Sequence, residues 1–379
     1  LYTQEYIGKQ GNEMQATIPA KRLLYIPQLD SFRFFAVLLV IFSHWLSGTS
    51  INVVPNGFLG VTFFFVLSGF LISSNLLLTK KDLDKNEVGF WHAAKTFYIR
   101  RTLRIFPLYF LVILLVFLFV PAVFEGRFAW YVTYVPNFLI AKTHEWPGML
   151  SHFWSLGVEE QFYIAWPFLI FLSPYKWLKY LFPGIILLSI VVKIFLFNSH
   201  GPFFNFYDAL PISCFDAFGA GALLALLITD RREAIFRLAS RIPLWAGFLA
   251  AVALGAIIFA SGLSFLFGLA VSAGSFFLIL KSITGYKGIF ALVVNNPVCQ
   301  YFGKISYGLY VYHNFIPWLV RCLTGRETKY PLPLPTISAG WLHGALPLFA
   351  VHFVVLVVVA SISWFLIEKP LNNLKKYFV

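Results

Sequence analysis

The sequence predicts an all-α fold, a polytopic membrane helix bundle of about ten transmembrane helices, and three observations carry that expectation. Of the 379 residues, 59% are hydrophobic and 12% charged, with a mean hydropathy of +0.77. A water-facing surface needs about a quarter of its residues charged, so a soluble domain is excluded. The apolar residues come in blocks long enough to cross a ~30 Å hydrocarbon core as helices, with little of the period-two alternation of an outer-membrane barrel. Finally, the basic residues sort to one side of such a bundle.

In chain order the candidate spans are 32–48, 57–78, 103–122, 152–172, 178–197, 209–229, 243–261, 263–281, 305–323 and 345–367. An even number of crossings brings both termini to one side. Of the 29 Lys and Arg, 22 then fall on the terminal side and five opposite (Arg127, Lys142, Arg321, Arg326 and Lys329). This excess puts both termini in the cytosol. The net charge of +13 is accounted for by topology and by attraction to membrane lipids, with no need for a nucleic-acid partner.

The first span lacks a small-residue cleavage site and carries Arg33 and His44 where a cleaved signal has a bare apolar run, so it reads as a retained anchor. Residues 1–24 read as a cytosolic tail. Because the chain begins with Leu, Met14 is the expected biological start and 1–13 an expected cloning remnant. The gaps 79–102 and 123–151 are rich in aromatics and too short for a soluble domain, so 25–375 is expected to be one membrane domain with no appended soluble domain. The segment Asn86 to Arg101 reads as a helix lying in the cytosolic interface, or else as a plain linker. Phe128 to Ile140 reads as an outer lid or interfacial helix, and Pro331, Pro333 and Pro335 make an extended outer loop. Three cysteines, Cys214, Cys299 and Cys322, offer neither a disulfide framework nor metal-ligand spacing, and no metal is expected.

Ionisable residues inside membrane helices are costly and ask for a function or a partner. Following Leu29-Asp30-Ser31-Phe32-Arg33, the first span carries one imidazole, His44, on nearly the same helical face as Arg33 and ~16 Å further along the axis. Before the third span, Arg101 and Arg104 are i and i+3, neighbours that suit bidentate contact with phosphate oxygens; anchoring to lipid phosphates fits the same spacing. In the fourth span Ser155, Glu159 and Tyr163 share a face, and Glu160 points ~100° away. Glu159 reads as a functional carboxylate or as the partner of Arg33 or His44, and Glu160 as a site residue or a brace. The ninth span puts Ser306, Tyr310 and His313 on one face. A lone membrane histidine is often an interhelical hydrogen bonder, but two histidines with a carboxylate favour proton transfer. Asp216 reads as structurally paired, Gly219 and Gly221 as points of close helix approach, and Lys193 as a side chain that snorkels outward. Trp130, Tyr131, Tyr134, Trp146 and Trp341 suit either sugar stacking or an interfacial belt.

Taken together, several motifs in order resemble acyltransferase family 3. They are Arg33 and His44 as Arg-x10-His; Gly60 to Ile72 in the second span; Arg101 and Arg104 as Arg-x-x-Arg; His152-Phe153-Trp154-Ser155-Leu156 through Glu159-Glu160-Gln161-Phe162-Tyr163; Ile305 to Tyr310 with His313; and Ile367-Glu368-Lys369-Pro370. The resemblance covers about residues 25–375. It implies an acyl-CoA-dependent O-acyltransferase of the bacterial inner membrane that moves acyl groups, commonly acetyl, onto a glycan or glycolipid. It further implies that Arg101 and Arg104 receive the phosphates of acyl-CoA (acetyl-CoA by family habit), that His44 is the central catalytic residue, and that Arg33, Glu159 and His313 support it. Many relatives carry an Arg close before Asp216, where this chain has Ser213 and Cys214, so no donor role is carried onto that span.

On this reading the arginines clamp the donor and the thioester lies beside His44, which deprotonates the acceptor hydroxyl or accepts the acyl group transiently. Glu159 is expected to orient the imidazole, and His313 or Tyr310 to polarise the thioester oxygen. The alternative is a proton-coupled transporter or flippase for a lipid or sugar, with His44, Glu159 and His313 as a relay. An enzyme requires a narrow tunnel from Arg101 and Arg104 toward His44, whereas a carrier requires pseudo-symmetric halves.

Overall fold

A computed structural model of the protein describes residues 25–46, 55–198, 206–324 and 342–378, the last stretch with side chains from 346 onward. The N-terminal tail with Met14, the segment of Pro331, Pro333 and Pro335, and Trp341 lie outside the described residues.

All regular structure among the described residues is helical. In chain order the helices are α1 (Pro27–Trp45), α2 (Asn56–Asp84), α3 (Phe90–Phe119), α4 (Phe128–Val132), α5 (Pro136–Thr143), α6 (Phe153–Leu172), α7 (Leu178–Asn198) and α8 (Pro211–Arg241). There follow α9 (Leu244–Ala260), α10 (Phe267–Thr284), α11 (Gly288–Val294), α12 (Pro297–Lys304), α13 (Ser306–Tyr312), α14 (Ile316–Leu323), α15 (Leu342–Ser363) and α16 (Lys369–Asn373). A π-helical turn, Trp364–Glu368, joins the last two.

By length and apolarity, six helical segments among the described residues are able to cross a membrane: Asn56–Asp84, Phe90–Phe119, Tyr175–Asn198, Pro211–Arg241, Ser264–Thr284 and Leu346–Tyr377. Leu244–Ala260 is apolar but shorter. The first, fourth and ninth expected spans do not meet that standard, and these carry the site candidates other than Arg101 and Arg104. In α1 and α6 the length is sufficient, but Asp30, Arg33, Glu159 and Glu160 interrupt the apolar run. The ninth is cut into α13 and α14, with α12 set off just before it, none of the three longer than eight residues.

Two expected placements change. Proline at its first turn starts α1 at Pro27 and the helix ends at Trp45, earlier at both ends than the expected span 32–48, so His44 stands in its last turn. The expected interfacial helix over 86–101 and the third span are a single 30-residue helix, ~45 Å long. No glycine or proline interrupts Phe90 to Arg104, and the hydroxyl of Tyr98 donates to the Ile164 carbonyl at 2.7 Å, holding the extension against α6.

The core gathers around α2, which packs most extensively on α8 and α1. With little hydrophobic drive between helices in lipid, close backbone approach has to supply the attraction. It does so at Gly69 and Gly221: a Cβ on Gly69 would sit 2.2 Å from the Phe218 carbonyl oxygen, and one on Gly221 2.0 Å from that of Val66. On α2 the neighbouring Ser68 turns to a different face and meets α6. Adjacent residues of one motif thus serve helix contact and cavity lining.

Between α7 and α8, Lys193 does not snorkel outward: its Nζ donates to Asp216 Oδ2 at 2.6 Å, with both side chains nearly inaccessible. Asp216 Oδ1 also accepts the Ala217 amide at 2.9 Å. Asp216→Ala leaves the ammonium buried without its partner. A loss of about 3–5 kcal/mol is expected, read as lower thermal stability in detergent, with partial recovery in Lys193→Met/Asp216→Leu.

On the side where α6 begins, α4 and α5 fold back into the bundle. Asn137 and Gln161 exchange side-chain hydrogen bonds of 2.9 and 3.2 Å, Gln161 Nε2 also donates to the Tyr134 carbonyl at 3.0 Å, and Asn137 Nδ2 to that of Ala209 at 3.2 Å. Tyr134 adopts a positive φ of 58° and stacks on Tyr109 with centroids 3.8 Å apart. The irregular backbone here is covered by protein, as a low-dielectric surrounding demands.

Candidate active site

A cavity of about 100 Å³ runs between α2, α3, α6 and α13. Arg33, Arg101 and Arg104 line it together with Ser68, Glu159, Glu160, Tyr163, Ser155, Ser306, Tyr307 and Tyr310.

The three arginines face one another across this space and are held individually. Arg33 pairs with Asp30 one helical turn earlier, and Asp30 also accepts from the Tyr25 hydroxyl. Arg101 lies 5.5 Å from the ring centroid of Tyr163 and 5.7 Å from that of Phe97. Arg104 faces Glu368, a buried carboxylate that accepts from the Ser363 hydroxyl at 3.1 Å. The π-helical turn Trp364–Glu368 carries this glutamate inward, so the closing motif of the chain meets the Arg-x-x-Arg motif. Lys375 faces Arg100, Arg101 and Arg104 and extends the positive field of the mouth. Its role is invisible from the sequence, where it is one more basic residue near a helix end.

Midway, Glu159 accepts hydrogen bonds from the hydroxyls of Ser68 and Tyr163. It therefore does not hold the His44 ring, as the sequence led us to expect, nor does it pair with Arg33. At the far end, Ser155 Oγ and Tyr310 Oη are 2.5 Å apart, and both bond the His152 carbonyl.

Behind Tyr310 lies a connected set of imidazoles. His313 Nδ1 is 2.5 Å from the Tyr310 carbonyl oxygen, and His313 Nε2 is 2.6 Å from His44 Nδ1. The two rings are coplanar within 4° with centroids 4.8 Å apart, so they meet edge to edge; face-to-face rings could not bring two nitrogens that close. The hydrogen-bond network assigns the tautomers. A carbonyl only accepts, so His313 Nδ1 carries the proton and its Nε2 is an acceptor. His44 Nδ1 must then donate, which leaves the lone pair of His44 on Nε2. A base held in one tautomer by an acceptor behind it is the arrangement that general-base catalysis uses. The indole of Trp45 donates to the His313 carbonyl at 3.1 Å and fixes the end of α1 against this network.

His152 and Asn314 complete the cluster. His152 Nε2 donates to the Val311 carbonyl at 3.1 Å, so its Nδ1 accepts from Asn314 Nδ2 at 3.0 Å. Asn314 is buried beside His44 and its Oδ1 has no hydrogen-bond partner among the described residues.

The motifs of the sequence thus converge on one cavity and one imidazole network, and the comparison with known families decides what they belong to. A family model described as an acyltransferase domain matches residues 26–369. The chain belongs to acyltransferase family 3. A Staphylococcus aureus (strain COL) protein named "Putative O-acetyltransferase" is 26% identical over 404 aligned positions, 96% of this chain and 60% of that protein. Peptidoglycan O-acetyltransferase OatA of Listeria monocytogenes is 33% identical over 173 positions, 41% of this chain and 25% of that protein. The chain therefore spans about 60% of the length of the Staphylococcus relatives it matches. No solved structure matches it.

Within this family member, the residues singled out from sequence fall into two groups in space. Arg33, Arg101, Arg104, Ser155, Glu159, Glu160, Ser306 and Tyr310 line the cavity. His44 and His313 stand behind it, joined through Tyr310, whose ring borders the cavity and whose carbonyl holds His313. Asp30 acts from outside by fixing Arg33. Sequence reasoning gave Asn314 and Lys375 no place in the site, quoted Ser68, His152 and Glu368 only as motif letters, and placed Tyr163 only on the face of Glu159. For Ser68 the available signal was a hydroxyl inside an apolar helix; for Asn314, its place next to His313.

Proposed function

We propose that the protein is a ten-pass O-acyltransferase of a bacterial inner membrane, with both termini in the cytosol. It moves an acyl group, acetyl by preference, from cytosolic acyl-CoA to a hydroxyl of a glycan or glycolipid at or across the membrane. The observation that carries this reading is the chain of hydrogen bonds from the Tyr310 carbonyl through His313 to His44, which leaves His44 Nε2 as a base beyond the end of the arginine-lined cavity. The name of the Listeria relative favours a cell-wall glycan as acceptor.

In this reading the phosphates of the donor rest on Arg101, Arg104 and Lys375, and the slender pantetheine arm enters the cavity until the thioester reaches Ser155 and Tyr310. Binding energy from the remote phosphates is converted into position at the reacting carbon. His44 Nε2 takes the proton of the acceptor hydroxyl as its oxygen attacks the thioester carbon. The C–S bond breaks, CoA leaves as thiolate, and the proton on His44 passes to that sulfur. Asn314 Oδ1 stabilises the imidazolium while it exists, and a hydroxyl of the Ser155–Tyr310 pair turns from the His152 carbonyl to donate to the developing oxyanion.

Membranes containing the protein, incubated with labelled acetyl-CoA, are expected to release CoA only when a glycan acceptor is supplied, with label appearing as an alkali-labile ester. Release of CoA that ignores the acceptor, or no release at all, would overturn the proposal.

A further inference from the structure

One buried carboxyl group in the cavity, Glu160, has neither a task in the mechanism above nor a partner for one of its oxygens among the described residues. Glu159 is engaged by two hydroxyls, Asp30 by Arg33 and Tyr25, and Glu368 by Ser363. Glu160 is 8% exposed and lines the cavity, and its Oε2 has no hydrogen-bond partner among the described residues. The groups that face it electrostatically are Glu159, Arg101 and the phenols of Tyr98, Tyr109, Tyr134 and Tyr307. Tyr134 Oη, in the same neighbourhood, is also without a partner. A buried carboxyl oxygen without a partner is costly, and it accepts hydrogen bonds whichever protonation state the group holds. What is missing is therefore a donor that arrives with a ligand.

The position of Glu160 along α6 says which part of a ligand that is. From the imidazole end toward the arginine end, α6 presents Ser155, then Glu160, then Tyr163 beneath Arg101. Ser155 and Glu160 are five residues apart, ~7.5 Å along the axis. A thioester held at Ser155 and Tyr310 extends its arm toward the arginines past Glu160. In acyl-CoA that arm is uncharged and carries two secondary amide N–H groups and one hydroxyl, the first amide two methylenes from the sulfur. The geometry points to Glu160 as the acceptor for an amide N–H of this arm, so that the cavity selects thioesters with an amide near the sulfur over plain alkyl thioesters. This inference rests on acyl-CoA being the donor.

The test uses the purified full chain in lipid nanodiscs with two small donors of matched length, S-acetyl-N-acetylcysteamine and S-pentyl thioacetate. The wild type is expected to prefer the amide-bearing donor by about tenfold or more in kcat/KM. Glu160→Ala is expected to bring that ratio close to one, and Glu160→Gln, whose amide oxygen still accepts, to keep part of it. If Glu160→Ala does not fold, the reduced ratio in Glu160→Gln is decisive. A ratio unchanged in the variants overturns the inference and makes Glu160 a brace or the partner of a fixed water, while the donor reading stands. A wild type inert toward both small thioesters and acetyl-CoA overturns the donor reading and this inference with it.

Discussion

His44→Ala lowers acceptor-dependent release of CoA by about 10²–10⁴-fold, the range that loss of a general base costs, while the protein remains inserted. The ring makes one strong contact, with His313, and α1 stays fixed by the Trp45 indole and by close contact with α2 and α12. The loss is therefore expected in kcat more than in donor KM. The tautomer argument adds a second arm. In His313→Phe the volume is kept, but nothing accepts from His44 Nδ1, so the proton is free to move to Nε2 and block the base. That variant should show a large loss of turnover with His44 intact. A His44→Ala enzyme of undiminished turnover would remove the imidazole from the mechanism.

The second large effect is expected at the mouth. Replacing Arg101 and Arg104 together by Ala should raise the KM for acetyl-CoA by two orders of magnitude or more, at about 1.5–3 kcal/mol for each charge-assisted contact. Lys at both positions should restore part of this, because the charge returns without the planar fork. Small thioesters without phosphates should be affected far less by the double replacement. Binding of CoA at wild-type strength by the double variant, in a calorimetric titration, would make these arginines lipid anchors. Glu368 has a part in the same test: facing Arg104 from the π-helical turn, it keeps three neighbouring guanidinium groups from dispersing one another.

The choice of an enzyme over a carrier rests on the family match, because the tunnel that the sequence requires is present only in part. A passage does lead from Arg101 and Arg104 inward, but it ends on Ser155 and Tyr310, and the His44–His313 pair is reached only behind Tyr310. The membership of acyltransferase family 3 gives that passage its meaning.

Much of the fold was legible because apolar length, helix periodicity and charge sorting are one-dimensional properties. The helices of the second, third, fifth, sixth, eighth and tenth expected spans are all present as long apolar segments. The first, fourth and ninth spans were harder to place for a physical reason: each exchanges apolarity for the polar groups of the site, and the ninth breaks on both sides of α13 to do so. Ends were also misjudged where a helix outruns the bilayer, as α3 does by carrying its basic segment in one continuous rod.

The sequence by itself determined that this is a helical membrane bundle, which side chains are too polar to be there without a reason, and which of them share a helical face. Only the tertiary structure decided who partners whom. Pairing in a membrane depends on which backbones can touch, and Gly69, Gly221 and Gly303 set those contacts: a Cβ on Gly303 would lie 1.8 Å from the Asp30 carbonyl oxygen. The packing of the whole bundle carries Glu159 to Ser68, Lys193 to Asp216, and His313 to His44, three pairings that helical periodicity leaves open because it fixes the face of a residue and not the neighbour that face will meet.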